Sequence, residues 1–141
     1  MSKMAGIFVN ENGCIKYAQL IVEGIKTIET RNRNMLRCLV GQRVAIVRTK
    51  RGKLPMVVGY VDIVDAAFCP YRLYDEYRDQ TLVPEGSAYD VHGNGKWFYF
   101  LENAEKCDPF PLPTDAVRHG LSWCEYDDPN HVTWTVHVNK N

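Results

Sequence analysis

Apolar residues in this chain fall in short runs of strand length rather than in long helical stripes. "GIFVN", residues 6–10, is the first such run and reads as a strand. In the segment 11–24 that follows, Cys14, Ala18, Ile21 and Val22 share one helical face while Lys16, Gln19 and Glu23 lie on another, so a helix is expected. Gly24 suits the left-handed residue that ends a helix. "KTIETR", residues 26–31, carries Thr27, Ile28 and Thr30, whose β-branched side chains favour an extended segment. Met35, Leu36 and Leu39 offer one or two helical turns before Gly41. Residues 43–49 and 56–64 then read as two strands of a hairpin, joined by "KRGKLP", whose glycine and proline mark a turn with basic residues at its tip.

Beyond residue 68 the pattern changes. "CPYRLYDEYRDQTL", residues 69–82, predicts a helix opening after Pro70, and "VPEGSAYDVHGNGK", residues 83–96, a glycine-bearing loop. "WFYFL", residues 97–101, is a strand with two alternating sets, Trp97 with Tyr99 and Phe98 with Phe100; the tyrosine-bearing set is expected to face outward. "CDPFPLPTDAV", residues 107–117, is a proline-rich connection unsuited to a central strand. Residues 131–138, "HVTWTVHV", alternate apolar and polar side chains with period two and predict a half-buried strand. Strand, helix, then many closely spaced strands indicate an α+β chain: a small mixed β-barrel with one or two covering helices, one domain over residues 1–141.

Composition changes this picture little. At 141 residues with 45% hydrophobic and 24% charged side chains, the chain matches an ordinary soluble globule and offers no stretch long and apolar enough to span a membrane. Its start lacks the apolar run of a secretory signal, which predicts a cytoplasmic protein. Five widely spaced cysteines form neither a disulfide framework nor a zinc motif, and His119, Cys124, His131 and His137 lack metal-site spacing, so no metal and no cofactor are expected.

Net charge is zero, yet its distribution is uneven. Between Thr30 and Val61 there is no acidic residue, while Arg31, Arg33, Arg37, Arg43, Arg48, Lys50, Arg51 and Lys53 all lie there. Asp62 to Asp90 reverses the balance. Segregation that survives folding leaves a phosphate-attracting face; the alternative is that the two halves pair in space.

The densest chemistry lies at Lys26–Arg31. In an ideal strand Thr27, Glu29 and Arg31 share a face, which permits a Glu29–Arg31 ion pair. Because Gly24 allows an unusual corner, Lys26 can turn its amine toward Glu29 as well. Such a lysine holds a phosphate, or acts as a base if burial lowers its pKa; equally, the cluster is a structural ion pair pinning the helix to the barrel. Tyr17, Tyr60, Trp97, Tyr99, Trp123 and Trp134 include candidates for stacking on an unpaired base, and Arg31, Arg33, Arg48, Lys50 and Arg51 for contacting its phosphates.

The run "LIVEGIKTIETR" resembles the signature of the ASCH domain, a branch of the PUA-like superfamily. "KWFYFLENAEKCDPFP" is similar to that family's aromatic strand and proline-bearing connection, and "HGLSW" to its glycine-and-tryptophan segment. The resemblance implies a PUA-like barrel with a cleft between the first helix and the barrel, lined here by Lys26, Glu29 and Arg31, with Thr27 beside them. It implies RNA or a nucleotide as partner. Some members resemble small hydrolases that deacetylate modified cytidine, with ribonuclease activity proposed for others; in that alternative Lys26 and Glu29 are the catalytic candidates. The resembling hydrolases carry threonine where this chain has Glu29, which favours binding over hydrolysis.

Overall fold

The computed structural model describes residues 3–131, so Trp134 and all but the first residue of the strand expected at 131–138 lie outside the described residues. Seven strands form one sheet: β1 (Met4–Asn10), β2 (Ile28–Arg31), β3 (Arg43–Thr49), β4 (Met56–Pro70), β5 (Gly95–Pro111), β6 (Val117–His119) and β7 (Trp123–Tyr126). Their order is β2-β5-β4-β3-β1-β7-β6, with β1 and β3 parallel and every other pair antiparallel. The fold is a mixed sheet with few helices, as the order of apolar runs predicts. Among the described residues the sheet is open: its outermost strands, β2 and β6, do not pair with each other, so it does not close into the expected barrel.

β1 and β3 read as near-continuous apolar runs because both of their faces are covered. Ile7, Val9, Val44 and Ile46 point into the larger core, beneath helix α1 (Tyr17–Val22), while Phe8, Ala45 and Val47 join Tyr60 and Tyr126 on the opposite face. Ala18, Ile21 and Val22 bury the helix against the sheet; Cys14 precedes α1 and is exposed. Gly59 on β4 lets the helix come close, since a Cβ there would stand 2.6 Å from Val22 Cγ1 and 2.3 Å from the Glu105 carbonyl.

The expected helix after Pro70 is a 3-10 segment, Tyr71–Tyr77, continued by α2 (Arg78–Thr81). Its Tyr74 and Tyr77 rings pack on Phe98, with centroids 5.6 and 5.3 Å apart. The proline-rich stretch departs from expectation, because residues 107–111 belong to β5. The register explains how: Gly59 stands opposite Lys106 and Val57 opposite Phe110, so four residue steps on β5 face two on β4. Pro109 sits within that bulge and owes the ladder no N–H.

Candidate functional site

Helix α1 and strand β2 are joined by a corner whose hydrogen bonds fix the site. Gly24, at φ +77°, ends the helix, and the Leu20 carbonyl accepts both the Ile25 N–H (2.9 Å) and the Lys26 N–H (3.0 Å). The Schellman-like turn brings Lys26 inward rather than outward along the helix axis. Its side chain is almost completely enclosed, with 2% of the residue exposed, and its ammonium donates to the Thr81 carbonyl of α2. The Lys26 Nζ stands 3.8 Å from Glu29 Oε1 and 5.1 Å from the centre of the Tyr17 ring.

Glu29, 8% exposed, is gripped from several sides. Arg31 donates to its Oε2 at 2.9 Å, and the Thr30 N–H reaches its Oε1 at 3.2 Å. Arg31 also donates to the Phe8 carbonyl of β1 at 2.7 Å, tying the edge strand β2 across the cleft to the middle of the sheet. Burial pushes the Glu29 carboxyl upward, but Arg31, Lys26 and the hydrogen bonds together outweigh it and hold the group below the ordinary carboxylate value. For Lys26 burial wins: desolvation, with a contribution from Arg31, lowers its pKa against the opposing pull of Glu29.

This cluster forms one side of a cleft of about 240 Å³. Tyr17 and Tyr89 stand edge to face, centroids 5.9 Å apart, among the lining residues. Asn10 and Thr49 also line it, as does Leu121, 91% exposed, in the turn between β6 and β7.

Of the residues singled out in the sequence, Tyr17, Lys26, Glu29 and Arg31 meet in the cleft. Lys50 and Arg51 line a groove that adjoins it at Asn10 and Thr49, whereas Arg48 lines two hollows with Glu11 and Lys16, one of which Lys50 also borders. Thr27 and Arg33 are not among the residues that line the cleft; the Thr27 backbone bonds to Gln80 and Leu101. Tyr99 corrects the expected orientation of β5, being fully buried with its hydroxyl donating to Asn34 Oδ1 (2.8 Å) and accepting from the Leu36 N–H (3.2 Å). Trp97 lies on the same inner face, edge to face with Phe68 at 5.6 Å, away from the cleft. Tyr89 and Leu121 were missed. The one signal for Tyr89 was the long loop without regular structure that carries it, a feature that often marks binding segments.

Among the described residues, ion pairing between the basic stretch and the acidic stretch at 62–90 is confined to Arg43 with Asp62. Within the basic stretch Arg31 pairs with Glu29, and Arg43 pairs with Asp62 and Glu105. Among the described residues the other six cations of that stretch have no carboxylate within 4 Å, while Asp75 and Asp90 are taken by Arg78. No described helix is long and apolar enough to cross a membrane.

No family model and no curated protein matches the sequence. Solved structures do. The ASCH protein of Zymomonas mobilis superposes with a TM-score of 0.64 at 23% identity, over 78% of this chain and 74% of that one. A tyrosine-to-phenylalanine variant of the same protein gives 0.63 at 23% identity, covering 78% and 76%. A serine-to-alanine variant gives 0.60 at 22%, covering 79% and 77%. At this identity what is shared is the arrangement of the backbone, and the corner that carries the sequence resemblance is where the cleft is built. The chain has the ASCH fold.

Proposed function

We propose that this protein binds RNA or a nucleotide, with one base in the cleft between α1 and the sheet. The observation that carries this reading is that a buried Lys26–Glu29–Arg31 cluster and the exposed Tyr89 ring line the same cleft, with Tyr89 held edge to face on Tyr17, whose own ring lies against the Lys26 ammonium. Aromatic rings contact any base through its π-face, and fixed charged groups meet its polar edge or an adjacent phosphate. At about 240 Å³ the cleft is too small to admit a duplex.

Tyr89 supplies the test because it is 42% exposed and carries little of the core. Tyr89→Ala is expected to weaken binding of short single-stranded RNA by roughly tenfold, in the range found for removing one stacking ring, with Tm unchanged. Unaltered affinity, measured by fluorescence anisotropy, would remove the cleft from the binding reaction.

A second reading rests on the lowered pKa of Lys26 beside a carboxylate, an arrangement that also suits a general base. The reaction would be hydrolysis of an N-acylated cytidine-type nucleoside, water breaking the amide to give the free amine and the acid, or cleavage of RNA. Binding is preferred because Glu29 is held ionised by Arg31 and Lys26, which makes it a weak proton acceptor. Incubation with acetylcytidine and chromatography for cytidine and acetate separates the two: little turnover is expected, and robust turnover lost in Lys26→Ala would establish the hydrolase.

A further inference from the structure

A second concavity of about 360 Å³ opens beside the cleft and shares two of its lining residues, Asn10 and Thr49. Its other walls include Lys50, Arg51 and Lys53 from the β3–β4 turn and Arg118 from β6. No acidic side chain lines it. Among the described residues none of these four exposed cations lies within 4 Å of a carboxylate. Lys3, Arg43, Arg78 and Lys106 are paired, while Lys16, Arg33, Arg37, Arg48 and Arg72 are likewise without a carboxylate within 4 Å among the described residues, so what marks the groove is the gathering of four such cations around one concavity.

The backbone beneath these cations is fixed. Asn10 Oδ1 accepts the Asn12 N–H at 2.7 Å, and Asn12 Oδ1 accepts the Arg51 N–H at 2.6 Å, which ties the end of β1 to the tip of the hairpin. Lys53 N–H bonds to the Lys50 carbonyl at 3.0 Å across Gly52, whose φ of +74° completes the turn. Arg118 lies with its guanidinium 4.8 Å from the centre of the Phe8 ring, and the carbonyl of that same Phe8 holds Arg31 in the cleft. Groove and cleft are therefore built on one rigid stretch of β1, with charged ends left unneutralised on a preorganised base.

We infer that the groove is a phosphate track, and that the ligand is a single-stranded nucleic acid with one base in the cleft and its flanking phosphates crossing Asn10 and Thr49 toward Lys50, Arg51, Lys53 and Arg118. This rests on the reading of the cleft given above and narrows it from nucleotide to polynucleotide. A free nucleoside leaves the four cations of the groove uncontacted. A duplex keeps its bases stacked and out of reach of the cleft, so the strand is unpaired where it binds.

The test uses the full chain and fluorescein-labelled single-stranded RNA of one, three, five and eight nucleotides, titrated from 50 to 300 mM salt. Affinity is expected to rise by at least tenfold between the mononucleotide and the octamer. Each phosphate contact on a single strand contributes about −0.7 to the slope of log K against log salt, so three or four contacts predict roughly −2 to −3. Lys50→Ala/Lys53→Ala is expected to flatten the octamer slope by about 1.4 through the loss of two such contacts, with Tm unchanged. Tyr89→Ala should weaken the octamer as well, since cleft and groove hold one strand. Mononucleotide and octamer binding equally well, or an octamer slope unaffected by the double change, overturns the track and leaves the cleft reading intact. Octamer binding indifferent to Tyr89→Ala overturns their connection. Polyglutamate competing as effectively as RNA assigns the groove to an acidic protein segment instead. No binding of any RNA by the unaltered chain rejects the cleft reading and the track together.

Discussion

Replacing Glu29 by glutamine removes one charge and almost no volume, and leaves two cations facing each other. Lys26 is 2% exposed and Arg31 is partly buried, and Glu29 lies 3.8 Å from the first and 2.9 Å from the second. Breaking a buried pair by deleting one partner costs about 3–5 kcal/mol, because the remaining charge stays desolvated without compensation. Arg31 keeps some solvent and its bond to Phe8, so the lower end applies, about 3 kcal/mol, or a fall in Tm of roughly 10 °C at this chain length. Urea denaturation at neutral pH measures the loss directly. Lys26→Met/Glu29→Gln should recover part of it, because the worst-placed cation is then gone, giving a coupling energy above about 1 kcal/mol in the double-mutant cycle.

The same substitution has a pH signature. The Glu29 carboxyl in the fold binds a proton less readily than in the unfolded chain, where its value is near 4.5. Between the two values the unfolded state holds more protons, so stability rises with pH there. The contribution is complete above 4.5 and is lost as pH falls through the lower, folded value. The gap between unaltered protein and Glu29→Gln should therefore be constant above 4.5 and narrow in acid. A neutral-pH loss below about 1 kcal/mol, with acid limbs running parallel, would refute the account of the cluster.

Two further outcomes follow from the same packing. In NMR titration of the lysine side chains, Lys26 should lose its proton below the ordinary value of 10.5, and at still lower pH in Glu29→Gln, since Glu29 is what props it up. Gly59→Ala should destabilise the fold by at least about 2 kcal/mol in denaturant titration, as strain in a packed interior commonly does, because the new methyl meets the Glu105 carbonyl at 2.3 Å and that atom belongs to a sheet backbone.

Much of the site was legible because it is local. A glycine competent for positive φ, a lysine two residues on, and a glutamate and arginine at period two are all contained within residues 24–31, and their geometry follows from backbone rules alone. The orientation of β5 was not legible. Alternation separates Trp97 and Tyr99 from Phe98 and Phe100, but both faces are covered, one by the α1 core and the other by Tyr74 and Tyr77, so periodicity cannot rank them. Residues 107–111 extend β5 without breaking the proline rule, because β2 pairs only with residues 97–100 and leaves this stretch with β4 as its one neighbour, and because Pro109 falls in a bulge; neither is visible in the local sequence. Tyr89 and Leu121 reach the cleft through tertiary placement of two loops, which no local pattern encodes.

The position of β1 in the sheet bears on the order in which the chain becomes competent. The first strand takes one neighbour from β3 and the other from β7, the last strand among the described residues. During synthesis it emerges long before either, and its second edge stays unpaired until nearly the whole described chain has been made. The Phe8 carbonyl that anchors Arg31 and the Asn10 side chain, which holds the backbone of Asn12 where that residue accepts from the hairpin tip, both sit on this strand. Such long-range pairing makes for slow folding, and it ties the completion of the cleft floor to the arrival of β7 rather than to the early helix and corner that give the cleft its charged residues.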